Sequence, residues 1–314
     1  MKKLVLLICV LLVVAMALNA QQTDFPKLTG PYLGQKPPGM VPERFAESVI
    51  TDDFYPHSKL MISPDGKRIY WSTFIDLANS GFALYCSDFD GKTLSKPTRD
   101  TSISKYGVDS FIFSGDGETI YFASQQPLPE EAGKKIYGVW YSQKENSGWS
   151  EPRPIQSTLD PAWSSLGSIS MNNAGDLYFS GRYQGGSAKI YCSKFVNGNY
   201  QKTEPLPDMI NAGITLDPFI DPQDRYMLFS ATRRDDNIGI IDLYVSFKDN
   251  DGNWTPPRNL GETVCTKHMD RFPLVTGDGR FLIFVTAHGN HFPSATTHFH
   301  WVSATVIDEL KPKE

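Results

Sequence analysis

The chain has 314 residues, 40% of them apolar and 12% aromatic, enough to bury a sizeable core and too apolar for a disordered chain. Its formal charge is −5, and no basic run is longer than Arg233-Arg234, which excludes nucleic acid and anionic membranes as main partners.

The first twenty residues read as a signal peptide. Lys2 and Lys3 form a basic start, residues 4–18 are an almost unbroken apolar run, and the small Ala20 precedes Gln21-Gln22. The run is short for a membrane span, and no later segment is apolar enough to be one. Cys9 has Ile8 before it rather than a small residue, which argues against lipid attachment. The expectation is a periplasmic or secreted protein, cleaved near Ala20. Residues 21–42 follow as a Pro- and Gly-containing arm, residues 43–308 as a single domain and residues 309–314 as a tail.

Within 43–308 one phrase returns five times: a tight turn, then an apolar run carrying Tyr, Phe or Trp. The copies are Ser63-Pro64-Asp65-Gly66 before Ile69-Tyr70-Trp71, and Ser114-Gly115-Asp116-Gly117 before Ile120-Tyr121-Phe122. Next come Asn173-Ala174-Gly175-Asp176 before Leu177-Tyr178-Phe179, and Asp221-Pro222-Gln223-Asp224 before Met227-Leu228-Phe229. The last is Thr276-Gly277-Asp278-Gly279 before Leu282-Ile283-Phe284. From Gly66 to Gly117, Gly175, Asp224 and Gly279 the steps are 51, 58, 49 and 55 residues. Strand-and-turn repeats of that length predict radial repetition.

Repeat four shows the unit most fully. A strand at Pro218-Phe219-Ile220 enters the turn, and Tyr226 to Ala231 returns from it. Asp242 to Phe247 forms a third strand. After the turn Asp249-Asn250-Asp251-Gly252, Trp254 to Leu260 is expected as an outer strand, where proline is tolerated. Comparable outer segments are expected at Leu94 to Pro97, Gly148 to Pro152, and Gly198-Asn199-Tyr200 with Pro205-Leu206. Repeat five has its third strand at Phe299 to Ser303 but no outer one. Residues 42–49 match 257–264 in outline, so the N-terminal segment should supply it. The predicted fold is therefore an all-β propeller of five blades, each of four antiparallel strands, closed by an N-terminal strand. Cys86 and Cys192 fall at the same place in repeats one and three. Together with Cys265 they read as buried thiols rather than a bonded pair.

Ser-Pro-Asp-Gly-Lys at 63–67, and Asp-Leu-Tyr-Val-Ser at 242–246 followed by Asp-Gly-Asn-Trp at 251–254, resemble the WD40-like repeats with a Pro-Asp core. Such repeats occur in the periplasmic propeller of the Tol system and in many exported bacterial proteins. The resemblance covers about residues 43–308 and implies a propeller used mainly for binding. Some relatives are polysaccharide lyases and others carry a peptidase domain, so it implies no single reaction.

Ligands of propellers commonly sit at the axial mouth. His57, Asp109, Asp217, Asp270 and Arg271 enter inner strands, while Arg182 and Arg233 follow second strands at matching places. Such a ring of mixed charge would suit a polar ligand: a protein partner, an acidic glycan or a peptide terminus. The bland alternative is that these charges tie blades to one another. Five of six histidines lie in the last repeat, and His288, His291, His298 and His300 form the candidate metal set. None of them has a ligand motif such as His-Glu-x-x-His, so no metal or other cofactor is expected. No Gly-x-Ser-x-Gly elbow or phosphate loop is present. The expectation is an exported non-catalytic binding or scaffold propeller. The alternative is a carbohydrate-active lyase or glycosidase working at the same mouth.

Overall fold

The computed structural model describes residues 35–47, 50, 56–76, 81–90, 93–107, 110–128, 131–146, 148–289 and 296–312. The signal-peptide expectation, Asp109 and His291 lie outside the described residues.

Five antiparallel four-stranded blades form a five-bladed β-propeller. Blade one runs Met61–Ile62, Arg68–Asp76, Gly81–Asp88 and Thr98–Arg99, from the axis outward. Blade two runs Phe111–Phe113, Thr119–Leu128, Glu131–Glu145 and Arg153–Pro154. Blade three runs Trp163–Met171, Leu177–Tyr183, Lys189–Ser193 and Glu204–Pro205. Blade four runs Ile214–Ile220, Tyr226–Thr232, Asp242–Phe247 and Arg258–Asn259. Blade five runs Met269–Val275, Phe281–His288 and Thr296–Ser303, and its outer strand is Glu43–Arg44. Glu43 lies opposite Trp301 and Arg44 opposite His300, so the N-terminal segment closes the ring.

The outer strands are shorter than the sequence suggested. In blades one and two they lie just past the expected segments, in blade three they overlap the expected Pro205-Leu206, and in blade four they fall inside residues 254–260. In blades one to four only two residues pair, and each pair sits at the end of its Pro-bearing segment. Before it, the chain closes a small side hairpin on the third strand, as at Gly148–Trp149 and at the Lys248–Trp254 bridge. Prolines 97, 152, 205, 256 and 257 lack the amide a longer ladder would need.

The turns explain why repeats three and four depart from the Ser-x-Asp-Gly form. In the first copy Ser63 Oγ donates to Asp65 Oδ1 (2.7 Å), and Asp65 accepts from the Lys67 amide. Ser114 with Asp116 and Thr276 with Asp278 repeat this geometry. In repeats three and four the acceptor moves to the first turn position, and the turn of repeat three spans 172–175, one residue earlier than the sequence suggested. Asn172 Oδ1 takes the Ala174 and Asp176 amides, and Asp221 Oδ2 takes those of Gln223 and Arg225. The fourth position has positive φ in every copy, from 61° at Asp224 to 89° at Gly175. Glycine meets that demand at no steric cost, and Asp224 is of the type that tolerates it.

Central strands are buried on both faces because each blade is covered by its two neighbours. Asp242–Phe247 is buried throughout. Five apolar clusters fill the five gaps between blades. In blade four, Leu243 and Val245 face blade five, while Phe229 and Tyr244 face blade three. Phe45 beside the closing strand seals the last gap. Its ring meets Trp301 edge-on at 5.3 Å, in a cluster with Trp71 of blade one. Cys86, Cys192 and Cys265 are buried, unbonded thiols, and burial pushes their pKa values up.

Candidate axial site

The inner strands of blades three, four and five share a bulge at the same level. Register slips between Leu166 and Ile169, between Leu216 and Phe219, and between Arg271 and Leu274. Bulges re-aim side chains. Asp217 (φ 52°) and Phe272 (φ 57°) sit at two of them in the left-handed region, each followed by a proline that owes the ladder no amide.

The bulges bring distant residues together at the axis. Arg271 of blade five grips Asp217 of blade four with two bonds, Nε to Oδ2 at 2.8 Å and Nη2 to Oδ1 at 2.9 Å. Ser168 of blade three donates to the same carboxylate at 3.3 Å. The pair is nearly dry, with side-chain exposures of 14% for Arg271 and 2% for Asp217. Paired forks of this kind are the strong form of the contact. His57 is buried near it. Burial, helped by the positive charge of Arg271, pushes its imidazole down to about 4, so it is neutral at pH 7.

Below this layer Lys59 of blade one crosses the axis. Its ammonium is buried and donates to the carbonyls of Ile169 (2.8 Å) in blade three and Pro218 (2.9 Å) in blade four. The sequence reading missed Lys59 and Ser168. The one signal for Lys59 was a cation placed directly before the apolar run Leu60-Met61-Ile62.

The other expected mouth residues lie elsewhere. Asp270 precedes Arg271 on the strand and so points the opposite way. It is buried between blades four and five, accepting from the Thr266 amide (2.6 Å), the Thr266 hydroxyl (3.0 Å) and the Thr286 hydroxyl (2.7 Å). Burial raises its pKa. Arg182 and Arg233 are exposed. Arg182 makes a long contact to the Gly186 carbonyl (3.5 Å), and Arg233 holds a left-handed corner at φ 62°. Of the seven candidates, the structure thus joins Asp217 with Arg271, near His57.

The histidines of blade five sit on the face turned to blade four. The His288 ring lies 4.6 Å from that of His268 and 6.0 Å from that of His298. His300 stacks on Phe284 at 5.7 Å, and burial pushes it down to about 4. Among the described residues, no group of three His, Cys, Asp or Glu side chains is placed to hold a metal ion.

At the other end of the axis the five turns ring a cavity of about 1340 Å³. Every blade contributes to its lip, with Pro64, Gly115, Asn173, Gln223 and Gly277 in order. Lys59 lies at its inner end. The helix Thr305–Asp308, which follows the third strand of blade five, adds Ile307 and Asp308 to one wall.

The fold and its two axial ends define a five-bladed propeller with a plugged centre. No family model matches the chain, and no curated protein does. Among solved structures it is similar to the catalytic domain of a GH62 α-L-arabinofuranosidase from Coprinopsis cinerea, with 11% identity and a TM-score of 0.50. That match covers 89% of this chain and 96% of that one. A gluconolactonase from Xanthomonas campestris is similar at 12% identity and a TM-score of 0.48, covering 88% and 97%. TolB from Acinetobacter baumannii matches at 13% identity and a TM-score of 0.46, covering 80% of this chain and 58% of that one. At these identities the likeness concerns the fold alone. No helix among the described residues is long and apolar enough to cross a membrane.

Proposed function

We propose that this chain is an exported, non-catalytic binding propeller that takes a polar ligand or a protein partner at an axial mouth. The observation that carries the reading is the Asp217–Arg271 pair. The carboxylate and guanidinium best placed for chemistry at the inner-strand mouth are closed on each other, with Ser168 as a third partner. A general acid or base needs a carboxylate within reach of substrate and free to change its protonation. Asp217 is dry and closed on Arg271, and Asp270 is turned away into a blade interface. The basic start and apolar run of residues 2–18 support export to the periplasm or beyond.

The test is a turnover screen of the purified chain against gluconolactone, aryl arabinofuranosides and polygalacturonate. The expected result is no turnover above buffer. Turnover that disappears in a folded His57→Gln or Asp217→Asn variant would overturn the reading.

A further inference from the structure

The two ends of the axis differ in what they leave available. At the inner-strand end Asp217, Arg271 and Ser168 are spent on each other. At the turn end a cavity of about 1340 Å³ remains open, larger than the roughly 300–1,000 Å³ of an ordinary small-molecule pocket. Its wall is apolar. Ile62 is 38% exposed there, and Phe113, Tyr226 and Leu274 are half-buried. Its lip carries amides. The side chains of Asn173, Gln223 and Asn250 are exposed and have no hydrogen-bond partner among the described residues. Elsewhere Asn172, Asn211, Asn237 and Asn259 all spend their amides on the scaffold.

The charges around this cavity are already committed. Arg225 holds Asp221 with two bonds of 2.8 Å, and Lys248 holds Asp224 at 2.7 Å. Asp249 takes the amides of Asp251 and Asn253. On the helix side Asp308 and Lys311 carry opposite signs. A ligand of strong net charge therefore meets no matching surplus. Each turn also closes its own main-chain bond, as from the Gly66 amide to the Ser63 carbonyl and from the Gly279 amide to the Thr276 carbonyl. An extended peptide would look for the row of open backbone groups that a free strand edge offers, and this lip is built of turns rather than of such an edge.

We infer that the working mouth is this turn-face cavity and that its ligand is an uncharged oligosaccharide. The inference rests on the binding reading above and gives it a place and a chemistry. A pyranose ring has apolar C–H faces and a hydroxyl edge. The faces suit Ile62, Phe113, Leu274 and Tyr226. The hydroxyls suit side-chain amides, which both donate and accept. The volume leaves room for several sugar units.

The experiment titrates the purified chain with neutral tetra- to hexasaccharides of glucan, xylan, mannan and arabinan type. Tetragalacturonate and a pool of extended peptides serve as comparison probes. One neutral series is expected to bind. Gln223→Ala and Asn250→Ala should each weaken it about threefold to tenfold, and Ile62→Lys at least tenfold. Arg182→Ala and Arg233→Ala, at the opposite end, should leave it unchanged. All five positions are exposed, and melting curves confirm that each variant is folded. Binding of the peptides or of tetragalacturonate alone would overturn the inference. So would a loss that follows Arg233 rather than Gln223. Either result leaves the non-catalytic binding reading standing. Cleavage of a bound neutral sugar would do the reverse, sinking that reading and keeping the site. No binding by any probe overturns the inference outright.

Discussion

Replacing Phe45 with Ala tests ring closure at one side chain. Phe45 is 9% exposed and packs on Trp301 at a centroid distance of 5.3 Å, inside the cluster that joins blade five to blade one. A buried Phe→Ala change costs about 3–5 kcal/mol. The outer strand is only two residues long and can partly collapse onto the gap, which favours the lower end, about 3 kcal/mol. For a domain of this size each kcal/mol moves the melting temperature by roughly 2–4 °C. The expected drop is therefore roughly 6–12 °C by calorimetry. Glu43→Ala in the same strand removes an exposed side chain and should stay within about 0.5 kcal/mol of the wild type. Deleting residues 35–47 goes further. It removes the Phe45 amide bond to the Phe299 carbonyl and the Gly39 carbonyl that receives the Ser303 amide. Thr296–Ser303 then becomes a bare edge, and size-exclusion chromatography should show aggregates. A Phe45→Ala protein melting within 2 °C of wild type, with a truncated chain that stays monodisperse, would refute the closure argument.

Lys59→Met keeps the stem and removes the ammonium, leaving the Ile169 and Pro218 carbonyls without that donor. Buried groups so orphaned cost about 1–3 kcal/mol each, so the melting temperature should fall by several degrees, and an unchanged value would deny the lysine its tie across the axis. His57 and His300 both sit at about 4 when folded and near 6.5 when unfolded, so the unfolded state binds more protons between those values. Stability should be flat above pH 7 and fall from about pH 6.5 toward pH 4, with Asp270, whose pKa is raised, acting in the opposite sense. Urea titrations of wild type and His57→Gln across this range check the slope, which the variant should reduce. Gly239→Ala would set a Cβ 2.2 Å from the Thr266 carbonyl oxygen and 2.7 Å from that of His268, so it should cost several degrees of melting temperature by differential scanning fluorimetry. Zinc added to the purified chain should leave its melting temperature unchanged, and a clear rise would point to the blade-five histidines as ligands.

The fold was legible because its determinants are local and repeated. Turn chemistry within four residues and an apolar run beside it recur five times, so one repeat interprets the others. Even the closing strand could be read, since residues 42–49 mirror 257–264. The outer strands were misplaced for a local reason as well. A Trp-x-x-Pro segment looks like a strand by composition, yet its prolines confine pairing to two residues beyond them. The turns of repeats three and four depart from the Ser-x-Asp-Gly form without being decayed copies of it. They are instead a second solution to the same hydrogen-bonding problem, with Asn172 and Asp221 doing the work that Asp65 and Asp116 do elsewhere.

The axial site was legible only in its ingredients. Asp217 and Arg271 are 54 residues apart, and Lys59 reaches carbonyls 110 and 159 residues away. No spacing rule connects such partners, because their meeting depends on where three bulges fall around a ring. Strand alternation did carry usable information about direction. Neighbours in a strand face opposite ways, so Asp270 and Arg271 were never a matched pair for one cavity. What the geometry adds is a division of labour between the two ends of the axis. Charges that would be costly if left alone are paired off at the inner-strand end and across the centre, where they tie blades one, three, four and five together. At the turn end the ion pairs of Arg225 with Asp221 and of Lys248 with Asp224 stay within blade four. The lip there is built from self-satisfied turns, so side chains such as Gln223 and Asn250 can vary without disturbing the scaffold. On the turn-end binding reading, substitutions at those side chains would change the ligand and leave the ties at the inner-strand end as they are.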